Sequence, residues 1–99
     1  MADWKNTNKK QSISEIRQWD FDFNDDLLTG VTVSSATSTH TPPSGSAVTP
    51  VVGTIAAGIV PVKLGPLAAG QTGTHFLTCL ATLSNGEKSE IKLTFQVDF

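Results

Sequence analysis

The acidic run Asp20-Phe-Asp22-Phe-Asn24-Asp25-Asp26 places oxygen-bearing side chains at alternate positions, as the opening of a calcium-binding loop does. Such a loop needs glycine at its sixth position and a bidentate glutamate at its twelfth, where this chain has Asp25 and Val31. Phe21 and Phe23 alternate with the carboxylates and demand a core, so the run reads as a strand with its acids turned to solvent. His40 and His75 stand 35 residues apart without a cysteine or carboxylate at ligand spacing. Each reads as a surface or rim histidine. Cys79, the single cysteine, lies between Leu77 and Ala81 and reads as a small buried hydrophobe with no base to activate it. Neither a Gly-x-Ser-x-Gly elbow nor a phosphate-binding loop occurs. The expectation is a chain that is not an enzyme and has no cofactor or metal site.

Composition narrows the class. The chain has 99 residues, 38% of them hydrophobic and 16% charged, which fits one globular domain. Ser and Thr number 22, with Thr alone 13, and this hydroxyl-rich, β-branched make-up favours strands over helices. A net charge of −2 gives no electrostatic case for nucleic acid or anionic membrane. One cysteine excludes an internal disulfide. The opening residues lack the apolar stretch of a signal peptide, and no run is long enough to span a membrane as a helix, so synthesis in a cytoplasm is expected.

The elements that would position these residues are strands. Residues 1–14 are polar and read as an extended arm, with Trp4 as an aromatic anchor and Lys5, Lys9 and Lys10 as its charge. These four are the candidate partner-binding residues. The domain proper is expected over residues 15–99. From Arg17 to Phe23, Trp19, Phe21 and Phe23 share one face, and Leu27-Leu28 should tuck under the edge before Gly30 turns the chain. A second strand is expected over Val31–Thr39, a proline-rich loop over Thr41–Pro50, and short strands over Val51–Ala57 and Ile59–Leu64. Pro61 consigns the last of these to a sheet edge. Gly65 through Gly73 forms another connection.

Ile91, Leu93, Phe95, Val97 and Phe99 alternate without exception with polar residues, and Asn85-Gly86 precedes them. This is a hairpin. A two-residue loop would set Phe95 against Phe76 and leave Leu77, Cys79, Ala81 and Leu83 on the polar face. A three-residue loop, Ser84-Asn85-Gly86 with Gly86 left-handed, pairs Leu83 with Glu87, Cys79 with Ile91 and Leu77 with Leu93. It buries more apolar residues and is the preferred register.

About six or seven short strands without helical periodicity make an all-β, two-sheet sandwich. The order of motifs also resembles a known family. Trp19-Asp-Phe-Asp-Phe23 with Leu27-Leu28 and Gly30, then Gly73-Thr74-His75-Phe76, Ser84-Asn85-Gly86 and Glu90 to Val97, is similar to small immunoglobulin-like virion proteins of tailed bacteriophages, of the fibre–tail adaptor or tail accessory type. The likeness covers roughly residues 19–35 and 70–98 and fades between Thr37 and Ala69. It implies an immunoglobulin-like antiparallel sandwich and a structural role in the virion, made in the host cytoplasm. Its partners would be other tail, neck or head proteins, contacted by several copies per particle. The competing expectations are a capsid-decorating protein and a free-standing adhesion or carbohydrate-binding module. The placement of Trp19, Phe21, Phe23, Phe95 and Phe99 on core faces, and the lack of tyrosine, favour assembly over sugar recognition.

Overall fold

The computed structural model describes residues 11–97. Six strands follow one another: β1 (Arg17–Asp22), β2 (Val33–Thr41), β3 (Val51–Val52), β4 (Ile59–Leu64), β5 (Gly73–Leu83) and β6 (Lys88–Val97), with one 3-10 turn at Asn24–Asp26. They form two antiparallel three-stranded sheets, β1-β4-β3 and β2-β5-β6. The core takes Trp19 and Phe21 from β1, Val60, Val62 and Leu64 from β4, and alternate residues of β5 and β6. Side chains of a strand point alternately to its two faces, so each sheet gives one apolar face to the shared core.

The β5–β6 hairpin has the three-residue loop. Thr82 pairs with Lys88, Cys79 with Ile91 and Leu77 with Leu93. Leu83 and Glu87 close the turn through Leu83 N–H to Glu87 O at 2.7 Å, and Gly86 has φ +91°. Burial of Leu77, Cys79, Ala81 and Leu83 against Ile91, Leu93, Phe95 and Val97 follows from that register.

Four boundaries differ from the sequence reading. The strand expected over Val31–Thr39 runs from Val33 to Thr41, and a β-bulge separates Val33 from Ser35. The extra residue reverses parity, so Ala36, Ser38 and His40 follow Val33 onto the inner side in place of Ser35, Thr37 and Thr39. The strand expected over Val51–Ala57 shrinks to Val51–Val52, and β4, expected at an edge because of Pro61, is the central strand. In an antiparallel strand the N–H and C=O of one residue point to the same side. The Pro61 carbonyl accepts Gly53 N–H at 2.8 Å, so its missing N–H also lies on the β3 side. The β3 ladder stops there, and pairing of β1 with β4 is undisturbed.

The fourth difference lies at the start of the domain. Residues 11–14, assigned above to the arm, are part of the packed body. Gln11 is buried; its backbone N–H donates to Gln96 O of β6, and its amide donates to Leu64 O of β4 at 2.8 Å. The Gln11 side-chain oxygen accepts Trp19 Nε1–H at 3.0 Å. Ile13 O accepts Leu67 N–H at 2.8 Å. The next turn is closed by Ser12 N–H to the Glu15 carboxylate, a bond that, with Arg17 beside it, holds the Glu15 carboxyl below its usual range. A polar segment that buries little apolar surface is thus ordered by satisfying the backbone of both sheets at once.

Candidate binding surface

Because the strands of each sheet alternate in direction, three connections gather at one end: residues 23–32 between β1 and β2, 53–58 between β3 and β4, and the 84–87 hairpin loop. Phe23 N–H donates to Gly58 O at 2.9 Å, and Ser84 N–H to Thr32 O at 2.8 Å, tying the three together. Asn24 sets their spacing. Its amide donates both protons, to Asp22 Oδ1 at 2.8 Å and to Ala57 O at 2.9 Å. A Cβ at Gly58 would fall on the Asn24 side chain, and Gly58 has φ +77°, so this closure requires glycine.

Between the first two connections lies a groove of about 440 Å³. Leu27, Val31 and Val33 form one wall, Ile55 to Gly58 the other, with Asn24 and Thr32 at the polar margin. The four large apolar residues are half-buried and rest on the core. Leu28, expected to tuck beneath the sandwich, is 68% exposed near this groove. A concavity of this size, mostly apolar with a few polar groups, suits an aliphatic or aromatic side chain of a partner. Gln11 and Val97, the ends of the described chain, both lie at the opposite end of the body, where Gln11 N–H meets Gln96 O.

The other candidate residues divide. Trp4, Lys5, Lys9 and Lys10 lie outside the described residues. Asp20 and Asp22 face outward from β1 while Phe21 and Phe23 are fully buried. The acids have local roles, Asp20 accepting from the Gln18 amide and Asp22 from Asn24 N–H. Among the described residues no group of three or more His, Cys, Asp or Glu side chains converges. Cys79 is fully buried opposite Ile91, and burial pushes its thiol up to about 12.

The histidines overturn the rim reading. His40 and His75 are 2% and 0% exposed, and His40 Nε2 lies 2.8 Å from His75 Nδ1. Their ring planes differ by 6° and their centroids are 5.1 Å apart, which is the hydrogen-bond length plus a ring radius on each side. The rings are therefore joined edge to edge in nearly one plane and are not stacked face to face. Parity held a signal for His75, which shares a face with Leu77 and Cys79. The bulge that turns His40 inward left no trace in the alternation of β2. Set against known proteins, the chain matches no family model and no curated protein sequence.

Proposed function

We propose that this chain is an immunoglobulin-like structural subunit of a bacteriophage virion, an adaptor or accessory protein joining neighbouring tail, neck or head proteins. The motif order from Trp19 to Phe23 and from Gly73 to Val97 supports the family. The strand order supports the fold. Sheets β1-β4-β3 and β2-β5-β6 correspond to strands B-E-D and C-F-G of a constant-type immunoglobulin sandwich, with no counterpart of strand A among the described residues.

The observation that carries the functional reading is the opposition of the two ends. The apolar groove and exposed Leu28 occupy one end, and the chain enters and leaves at the other. That arrangement suits a connector, since one end can take a partner's side chain while the end that holds Gln11 and Val97 is free to meet another subunit. Trp19, Phe21, Phe23 and Phe95 are buried and Lys92 covers the Phe76 ring at 4.3 Å, which leaves no aromatic platform for a sugar among the described residues.

The test is the chain's presence in purified particles by mass spectrometry, with its position read from a map of the intact virion. Stoichiometric presence, with the 23–32 and 53–58 connections against another protein, is the expected result. A chain abundant in the infected-cell lysate and missing from particles overturns the reading.

A further inference from the structure

We propose that the His40–His75 pair is an acid-sensitive latch, whose protonation frees the 42–50 and 65–72 connections while both sheets and the groove end stay closed. The hydrogen bonds fix both tautomers. Val48 N–H donates to His40 Nδ1 at 3.0 Å, so that nitrogen is an acceptor and the proton of neutral His40 is on Nε2. Nε2–H then donates to His75 Nδ1, and His75 Nε2–H donates to Gln71 O at 2.5 Å. All four ring nitrogens are engaged in one relay from the first connection to the second. Gln71 completes the clamp, its amide donating to Ser44 O at 2.7 Å and Ser46 O at 2.9 Å.

A neutral pair fits this relay and a charged one does not. The two nitrogens able to take a proton, His40 Nδ1 and His75 Nδ1, already accept N–H groups, so either protonation sets donor against donor. Among the described residues no counter-charge is at hand. The face of β5 offers only His75, β6 offers Phe95 at 5.2 Å from the His75 ring, and β1 offers Trp19 stacked on Phe95. Residues 41–62 and 64–74 contain no acidic, basic or histidine side chain. An imidazolium formed here can be solvated only if the connections part.

Burial, and then His75, lowers the His40 pKa from its ordinary 6.5. With the closed-state pKa depressed, the closed form is fully stable only well above about pH 6.5, where neither form is charged. It loses stability as pH falls, because the opened form takes up the proton more readily than the closed one. Between pH 7.5 and 5.0 one such histidine raises the opening constant by up to about thirtyfold, the limit reached when the closed form takes up no proton in that range.

Amide hydrogen exchange on the full chain, corrected for the intrinsic pH dependence, reads this directly. Protection at Val48 should drop by up to about thirtyfold between pH 7.5 and 5.0, with Leu93 at the core and Ser84 at the groove end unchanged. Imidazole nitrogen shifts at pH 7.5 should show His40 protonated on Nε2 and bare on Nδ1. His40→Asn keeps an acceptor for Val48 without a titrating ring at that position, and should weaken the pH dependence of Val48 exchange. Unchanged Val48 protection, loss of Leu93 protection in step with it, or the opposite His40 tautomer each overturns the proposal. These three readouts need only the native chain, so a variant that folds poorly does not shield it.

Discussion

At the end of the body that holds Gln11 and Val97, four polar side chains, Gln11, His40, Gln71 and His75, are each at most 3% exposed. Their bonds reach backbone far away in sequence, Gln11 to Leu64 and Gln71 to Ser44 and Ser46. The opposite end is closed by short backbone turns and by Asn24, which is exposed, and its apolar side chains remain half open. Buried polar groups cost free energy unless every donor and acceptor is matched, so they allow one arrangement and little slack. Apolar contacts carry no such directional demand. The same two sheets thus present one end suited to a fixed shape and another suited to meeting a partner.

Cys79 lies between the two ends and tests whether the groove opens a path into the core. With the thiol buried and raised to about 12, native labelling should be at least about a thousandfold slower than in denaturant, the scale set by global opening of a small domain. Rapid labelling under native conditions, measured by mass shift, would mean that the groove end breathes as far as β5.

The next largest effect belongs to Phe95, which stacks on both Trp19 and His75 and so joins the two sheets at the closed end. Phe95→Ala should cost about 3–5 kcal/mol in a denaturant titration. Gln96→Ala, one position on and facing solvent, should cost within about 0.5 kcal/mol. Equal losses would contradict the burial alternation of β6.

Much of this was legible beforehand. The alternation from Ile91 to Val97 and the glycine of the loop left one register that buried Leu77 and Cys79, and the structure has it. What escaped depended on contacts between distant segments. The inward turn of His40 comes from a bulge that no residue near Ser34 announces. Pro61 argued for an edge because a central strand is paired on both sides and a missing N–H interrupts one of its ladders. The two-residue β3 ends where that N–H is absent. Gln11 lies in a stretch with no apolar pattern, and its place is set by Trp19 and Leu64, residues it cannot be matched to by spacing. The groove is a product of tertiary approach between Leu27, Val31 and Ile55, which no spacing in the sequence ties together.

Gln11 gives the comparison its most direct trial. Gln11→Ala would leave Trp19 Nε1–H and Leu64 O without their present partners, and each buried group left unsatisfied costs about 1–3 kcal/mol. Asn24→Ala at the open end removes bonds that water can replace, and should cost less than about 1 kcal/mol. If chemical denaturation finds Asn24 as costly as Gln11, the two ends do not differ in the way described.

The smallest effect concerns the turn that forms one wall of the groove. Ala56 and Ile59 exchange both backbone hydrogen bonds around Ala57 and Gly58, and these two residues have φ of +53° and +77°. Two positive φ values in a two-residue loop are the pattern that favours Asn-Gly, and alanine in the left-handed region carries about 1–2 kcal/mol of strain. Ala57→Gly relieves that strain but also loosens the unfolded chain, which returns about 0.4–1 kcal/mol of the gain. Ala57→Asn relieves strain without that entropic loss. Ala57 is exposed, so no buried surface is given up, and its carbonyl stays in place for the Asn24 amide. The asparagine variant should therefore be more stable by up to about 1 kcal/mol, a rise in Tm of about 4–8 °C for a domain this size, and the glycine variant should rise by less. A fall in Tm for Ala57→Asn would mean that the turn is not held left-handed in solution, and the wall that Ile55 and Gly58 give to the groove would then have to be drawn differently.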